Sequence, residues 1–107
     1  MLHDLGTTLA RLGEQTGNSD FLRRAVTAYR EALKERTRAR VPLNWAGTQF
    51  NLAILRGVMA ERSGRAEEAT QAVAHAEGAL EVYREAGATH YIDRGERLLA
   101  RLRAEAE

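Results

Sequence analysis

The sequence predicts an all-α fold made of five helices, and three observations support that prediction. Ala, Leu, Glu and Arg, all strong helix formers, dominate a chain of 107 residues that contains one proline. The β-branched residues are few and scattered, so no segment has the alternation of a strand. Gly17, Gly64 and Gly87 follow apolar helical stripes and mark helix ends. The chain is long enough to bury one core, and 44% of its residues are hydrophobic.

The first two helices are predicted from leucine spacing and from a capping sequence. Apolar residues at i, i+3, i+7 and i+10 form one stripe on the first helix, namely Leu2, Leu5, Leu9 and Leu12. Asn18-Ser19-Asp20 supplies side chains that cap a second helix. The inner face of the second helix is expected to contain Leu22, Ala25, Val26, Tyr29, Ala32 and Leu33. Val41-Pro42 blocks its continuation, because proline disfavours helical geometry in the residue before it.

Three more helices complete the predicted fold. Asn44 is the expected N-cap of a third helix that runs from Trp45 to about Ser63. A fourth helix spans about Arg65 to Ala86, and Thr89 is the expected cap of the last one. The inward residues of these helices are expected to be Leu52, Leu55, Met59, Ala60, Ala69, Val73, Ala76, Leu80, Tyr83, Ile92, Leu99 and Leu102. Short connections predict that consecutive helices pack antiparallel.

An internal repeat relates the first, third and fifth helices. Leu5-Gly6, Leu52-Ala53 and Leu99-Ala100 lie 47 residues apart. The same offset aligns two rows of small residues, Gly6, Ala10 and Gly13 on the first helix with Ala53, Gly57 and Ala60 on the third. A glycine inside a helix is less favourable than alanine by roughly 0.5–1 kcal/mol. These rows therefore predict positions where a neighbouring helix approaches closely.

These patterns resemble the tetratricopeptide repeat family. The Leu-Gly pair of the first helix precedes Ala-x3-Tyr-x2-Ala on the second, and AYREALKERTRARVPLNWAGTQFNLA at Ala28–Ala53 is similar to bacterial arrays with long second helices. The resemblance implies a right-handed α-α superhelix, a helix-turn-helix solenoid. Its expected parts, within a single domain over residues 1–107, are repeat one at 2–40, repeat two at 44–87 and a capping helix at 89–106. The period of 47 and the charged Arg56 depart from the family pattern, so a HEAT-like helix pair is the structural alternative.

No pattern in the sequence predicts catalysis, a metal or a cofactor. His3, His75 and His90 stand on different predicted helices without metal-binding spacing. Ser19 and Ser63 lie at helix ends, where a capping role explains them better than a nucleophilic one. The chain has no cysteine and therefore no disulfide or thiolate site. We expect that the protein is not an enzyme and binds no cofactor.

Charge and hydropathy argue against two other classes of partner. The 16 Lys and Arg residues interleave with 15 Asp and Glu residues and leave a net charge of +1. A nucleic-acid-binding protein normally has a basic excess or a basic stripe. No apolar run approaches the roughly 20 residues of a membrane span, and the N-terminus has no signal pattern. We therefore expect a cytoplasmic protein that binds neither nucleic acid nor a membrane.

The resemblance also implies a concave interaction surface lined by the first helix of each repeat. It places this surface at His3, Asp4, Thr7, Arg11, Phe50, Asn51, Ile54, Val58, Arg97, Leu98 and Arg101. Asn51 matches a position where peptide-binding members often hold an asparagine that binds the peptide backbone, but the accompanying lysines are missing. Phe50, Ile54 and Val58 give the third helix a second apolar face. That face is explained by packing in the core, by self-association or by a peptide groove.

The function predicted from these observations is protein–protein interaction, as a module or scaffold within a larger bacterial protein. The alternative is a homo-oligomerisation unit without a separate ligand. The WAxTQ-like stretch that the resemblance places before Leu5 is missing, so we expect an excerpt of a longer array. Stacked repeats generally need three or more units to bury a continuous core. We therefore expect the chain to associate with itself as a two-fold dimer.

Overall fold

The chain folds into five α-helices joined by short connections. The computed structural model describes residues 2–106. The helices are α1 (Leu2–Thr16), α2 (Ser19–Glu35), α3 (Pro42–Ser63), α4 (Ala66–Ala86) and α5 (Thr89–Ala106). No strand occurs within the described residues. The predicted all-α fold class with five helices is confirmed.

The predicted capping residues act at several helix ends. The side-chain oxygen of Asn18 accepts a hydrogen bond of 2.8 Å from the backbone N–H of Asp20 and so satisfies a donor in the first turn of α2. Gly17, Gly64 and Gly87 have φ angles of 72°, 70° and 66°. Side chains with a Cβ atom are strained in this left-handed region, which explains why glycine ends three helices.

The start of α3 differs from the prediction. This helix begins at Pro42, so Asn44 lies inside its first turn and is not the N-cap. Val41 occupies the cap position, and its carbonyl accepts a hydrogen bond of 2.9 Å from the N–H of Trp45. Proline suits the first helical position because its φ angle fits a helix and the N–H that it lacks has no acceptor there. Pro42 therefore stops the preceding segment and begins the next helix.

The start of α5 also differs from the prediction. Thr89 is the first helical residue rather than the cap. The carbonyl of Ala88 accepts a hydrogen bond of 2.9 Å from the N–H of Ile92, which places Ala88 at the cap position. The N–H of Ala88 in turn bonds to the carbonyl of Tyr83 at 3.0 Å, so the connection from α4 is very short.

The helices pack against their neighbours in chain order. Helix α1 packs along α2, α3 along α4, and α4 along α5, while α2 contacts α3 less extensively. Helices α1 and α5 each meet α3 at a few positions, so α3 contacts all four other helices. In the described part of the chain, no Cα atom of α2 lies within 8 Å of one in α4. The two second helices of the predicted pairs therefore leave a cleft between them.

The core consists of two clusters that share α3. One cluster joins α3, α4 and α5 and includes Phe50, Leu80 and Leu102. The other joins α1, α2 and α3 and includes Leu22 and Leu52. Trp45, predicted as a packing residue, is half-buried against the first cluster. Helix α3 thus links the two halves of the molecule.

Small residues lie where helices approach closely, as the repeat predicts. A Cβ atom on Gly6 would lie 2.7 Å from the Tyr29 ring of α2. A Cβ atom on Gly57 would lie 2.8 Å from the side chain of Leu102 in α5. The two equivalent rows of small residues therefore pack against different helices: Gly6 of α1 lies against α2, whereas Gly57 of α3 lies against α5.

The predicted leucine stripe of α1 is only partly buried. Leu9 is 6% exposed, but Leu5 and Leu12 are 48% and 38% exposed. Helix α1 packs on α2 and touches α3 at a few positions, so no helix among the described residues covers this side of it. The spacing correctly identifies a helical face but not the extent of its burial.

Candidate functional site

Several of the predicted binding residues line one groove between α1 and α3, which we call the front groove. Thr7 and Arg11 lie on α1, and Asn51 and Ile54 lie on α3. The volume of the groove is about 210 Å³. Its remaining lining residues are Ala10, Glu14, Tyr29 and Leu55. The structure therefore brings together two pairs of side chains that are separated by at least 40 positions in the sequence.

His3 fixes the orientation of Asn51 beside the front groove. The Asn51 Nδ2 atom donates to His3 Nε2 at 3.1 Å, and His3 Nδ1 lies 2.8 Å from Thr48 Oγ1. Since Nε2 accepts, Nδ1 carries the proton and donates to Thr48. The Thr48 hydroxyl then donates to the carbonyl of Asn44 at 3.2 Å. This chain of hydrogen bonds determines both the histidine tautomer and the direction of the Asn51 amide.

The protonation state of His3 matches its hydrogen bonds. Burial lowers the pKa of His3 below its usual range, Arg36 lowers it further, and Asp4 has the opposite effect. A neutral imidazole is what the bond from Asn51 requires, because a protonated Nε2 has no lone pair. The Tyr29 ring packs against the imidazole with 5.4 Å between centroids. His3 is therefore a structural partner of Asn51 rather than a free surface histidine.

The second apolar face predicted on α3 is largely core. Phe50 is 8% exposed and packs in the α3–α4–α5 cluster. The guanidinium carbon of Arg94 lies 5.1 Å from the centroid of its ring. Ile54 and Val58 are half-buried against the two clusters. Phe50 thus belongs to the core and not to a binding surface, while Ile54 retains exposed surface in the front groove.

The α5 residues of the predicted surface lie apart from the front groove. Arg97 and Arg101 are exposed and do not line it. Arg97 pairs with Asp93 at 2.7 Å, and Arg101 lies 3.9 Å from Glu105. Exposed pairs of this spacing contribute only about 0.3–0.5 kcal/mol, so both guanidinium groups can exchange partners.

The exposed arginines of α5 share one helical face. Arg94, Arg97 and Arg101 follow the i, i+3, i+7 spacing that places side chains on the same side of a helix. Sequence reasoning missed Arg94, although this spacing was the available signal. Leu98, which was also predicted on the surface, is 6% exposed and belongs to the core.

A second concavity lies between α2 and α4, and we call it the back cleft. Arg56 follows Ile54 by two residues, which is about 200° around the helix, so it points away from the front groove. The lining residues of the back cleft are Arg30, Leu33, Leu52, Arg56, Gln71, Ala74 and His75. Its volume is about 420 Å³. Sequence reasoning missed this cleft, and the unusual charge of Arg56 was its only signal.

The charge of Arg56 is balanced by a pair with α4. Its Nη1 donates to Glu68 Oε2 at 3.0 Å, and the two side chains are 11% and 19% exposed. The Nε atom of Arg56 is buried and has no hydrogen-bond partner among the described residues. A buried donor without an acceptor destabilises a fold by roughly 1–3 kcal/mol. The cationic side chain is thus only partly satisfied by the protein.

His75 is held neutral on the α4 side of the same cleft. Its Nδ1 lies 2.6 Å from the side-chain oxygen of Gln49 on α3 and donates to it. Burial lowers the pKa of His75 to about 4, and the charges of Arg56 and Arg30 contribute to this decrease. Two cations therefore act on the imidazole from α3 and α2.

Arg38 connects the segment between α2 and α3 to α4. Its Nη2 donates to Glu81 and Glu85 at 2.5 Å and 2.7 Å. Its guanidinium carbon lies 5.5 Å from the centroid of a Trp45 ring. These contacts join two parts of the chain that the sequence separates by more than forty residues.

Comparison with known proteins identified no relative. Within residues 2–106, no group of three or more side chains could hold a metal ion. No helix in the same range has the length and apolar character needed to cross a membrane. A scan against protein-family models found no match, and searches of curated proteins and of solved structures found none either. The resemblance to tetratricopeptide repeats therefore rests on the residue patterns alone.

Proposed function

We propose that this chain is a protein-interaction module whose front groove binds an extended, acidic segment of a partner protein. The main support is the Asn51 amide, which His3 holds at 3.1 Å beside the exposed part of Ile54 and near Arg11. An oriented amide, an apolar surface and a cation in one groove suit a peptide backbone with mixed side chains.

The amide of Asn51 retains bonding capacity for a peptide. Its Nδ2 atom gives one hydrogen to His3 and keeps a second, and its carbonyl oxygen accepts no hydrogen bond from another described residue. These two groups complement the C=O and N–H of an extended backbone. Because His3 already restrains the side chain, binding removes less rotamer freedom than it would from a mobile asparagine.

The charges near the groove favour acidic side chains in the partner. Arg11 is exposed on α1 and lines the groove, and the arginine face of α5, which does not line it, adds positive charge elsewhere on the surface. Glu14 is the one acidic residue among those that line the front groove. Exposed charges steer a partner and set its specificity more than they add affinity.

Selection from a library of displayed random peptides tests this function on the intact chain. We expect the selected peptides to be enriched in Asp and Glu and to bind more weakly as salt increases. Asn51→Ala should weaken their binding about tenfold, as calorimetry would measure, because two hydrogen bonds to the backbone are lost. Gln15→Ala is the matched control, since this exposed amide on α1 does not line the groove.

Two outcomes would contradict a peptide-binding groove. One is a selection that yields no peptide with measurable affinity. The other is a set of peptides that bind Asn51→Ala and the parent chain equally well, which would place their binding elsewhere on the molecule.

A second candidate function is self-association through α1, because this helix exposes two leucines on its free side. Leu5 and Leu12 are 48% and 38% exposed and lie seven residues apart. Full burial of a leucine contributes roughly 1.5–3 kcal/mol, so covering both on each of two chains would offset part of the entropy lost on association.

The charges beside these leucines favour a second copy of the same chain as the partner. Asp4 and Arg11 are also seven residues apart, and the midpoints of this pair and of the leucine pair lie on either side of Thr8. When two α1 helices pack antiparallel around a two-fold axis at Thr8, Leu5 of each copy faces Leu12 of the other. Asp4 then faces Arg11 of the second copy, twice, so the pattern is self-complementary.

Light scattering after size exclusion, over a hundredfold range of concentration, tests self-association. We expect the parent chain to approach twice the chain mass and Leu5→Glu to keep the single mass. Leu43→Glu is the matched control, because Leu43 is 52% exposed but lies at the start of α3. A parent chain with the single mass throughout would eliminate this candidate and leave the peptide groove unaffected.

A further inference from the structure

The back cleft has the composition of an anion site, and the proposed peptide groove does not use it. Three different helices each contribute a side chain that can donate a hydrogen bond: Arg30 from α2, Arg56 from α3 and Gln71 from α4. No acidic side chain is among the described residues that line the cleft. A concave space surrounded by donors from three directions is suited to a ligand with several acceptor oxygens.

The charge inside the back cleft is positive and only partly compensated. Glu68 accepts one hydrogen bond from the guanidinium of Arg56, at 3.0 Å. The Nε atom of the same group is buried without a partner among the described residues. Arg30 is exposed at the edge of the cleft, where it can turn towards a ligand. The site thus has more donors and more positive charge than its own residues satisfy.

We propose that the back cleft binds a phosphate group, held between Arg30 and Arg56 and hydrogen-bonded by Gln71, with His75 beside it. A phosphate presents oxygens in three or four directions, whereas a carboxylate presents two oxygens in one plane, and the donors of the cleft come from three helices. The donor from α4 is the neutral amide of Gln71, because the neutral imidazole of His75 gives its one N–H to Gln49. The group is either free phosphate or the phosphate of a monoester, because both present the same oxygens.

Binding in the cleft has a consequence for His75 that can be measured separately. Burial and the charges of Arg56 and Arg30 lower its pKa to about 4. A dianion placed between the two arginines offsets their effect, so the pKa of His75 rises when phosphate is bound. The hydrogen bond from Nδ1 to Gln49 leaves Nε2 as the atom that takes up the proton.

The test is an NMR titration of the intact chain with inorganic phosphate at constant ionic strength, with chloride as the balancing salt. We expect the ring signals of His75 to shift in a saturable manner at pH 7, while those of the exposed His90 do not. Arg30→Gln should weaken binding at least tenfold. Arg97→Gln, which removes the same charge from an exposed position on α5, should leave it unchanged.

Parallel titrations identify the kind of anion. O-phosphoserine that binds more tightly than inorganic phosphate would assign the site to a phosphate monoester, and the reverse order would assign it to free phosphate. Acetate should bind at least tenfold more weakly than either. The proposal is overturned when neither phosphate compound shifts the His75 signals, when acetate binds equally well, or when Arg30→Gln binds like the parent chain.

Discussion

Two leucines at equivalent positions of the internal repeat have opposite environments. Leu5 and Leu52 are 47 residues apart, and each precedes a small residue on the first helix of its pair. Leu5 is 48% exposed, whereas Leu52 is fully buried. Leu99, at the next equivalent position, is 7% exposed. The same local pattern therefore gives different burial, depending on which helices surround it.

The difference follows from the place of each helix in the array. Helix α3 contacts all four other helices, while α1 packs on α2 and meets α3 at a few positions. A repeat pattern prescribes a face that other elements can cover, and the neighbours determine whether the face is covered. The comparison of an edge helix with the central helix predicts where substitutions have large or small effects.

The largest expected effect comes from truncating the two equivalent leucines. Leu52→Ala should lower the free energy of unfolding by about 2–5 kcal/mol, because it removes buried methyl groups and leaves a cavity. Leu5→Ala should lower it by only about 1 kcal/mol, since its side chain is half exposed and leaves no enclosed cavity. Urea denaturation measures both, at a concentration where the chain has the single mass. Equal losses for the two variants would contradict the assigned burial.

An intermediate change in stability is expected when glycines of the edge helix α1 and the central helix α3 are replaced by alanine. Gly6 lies on the covered side of α1, where a Cβ atom would meet the Tyr29 ring at 2.7 Å. Gly6→Ala should therefore destabilise the chain by about 1–2 kcal/mol, after its helix-propensity gain is included. Gly47 in α3 has no neighbouring atom within 4 Å of an added Cβ. Gly47→Ala should therefore raise the free energy of unfolding by about 0.5–1 kcal/mol. Thermal unfolding measures both variants, and a Gly6→Ala chain that is more stable than Gly47→Ala would contradict the assigned packing.

The pH dependence of stability at two histidines gives an effect that is spread over several pH values. Because the folded pKa of His75 is lowered to about 4, the unfolded chain binds a proton more readily below about pH 6.5. Stability should therefore fall between about pH 6.5 and 4, by on the order of 1–2 kcal/mol after allowance for solvent screening.

Single substitutions show which histidine causes this decrease in stability at low pH. His75→Gln should remove most of the decrease, as urea denaturation at several pH values would show. His3→Gln, on the edge helix, should remove less, although burial lowers the pKa of His3 in the same direction. A decrease that persists in His75→Gln would mean that other groups cause it.

Local residue chemistry was sufficient to predict most of the fold. Leucine periodicity and the glycines at helix ends gave five helices, and Asn18 caps α2 as expected. The predicted start of α3 was wrong because Asn44 and Pro42 are both residues that favour the beginning of a helix. The helix begins at Pro42, two positions before Asn44. When two residues that favour a helix start lie within one turn, the backbone hydrogen bonds determine which of them begins the helix, and the sequence does not show those bonds.

The candidate site was less predictable because it depends on contacts between distant helices. Phe50 and Ile54 lie one helical turn apart, yet the packing of α5 buries Phe50 and leaves Ile54 at the groove. The bond between His3 and Asn51 joins residues 48 positions apart. The back cleft lies between α2 and α4, whose Cα atoms do not come within 8 Å of each other, and no local spacing in the sequence contains that separation.

Amide hydrogen exchange of the intact chain tests the contrast between edge and centre most directly. At a concentration where the chain has the single mass, the amides around Leu52 should exchange only through global unfolding. Those around Leu5 should exchange through local opening, at least tenfold faster, because α1 has few contacts beyond α2. Equal protection of α1 and α3 would contradict the conclusion that position in the array, rather than the repeated pattern, determines burial and stability.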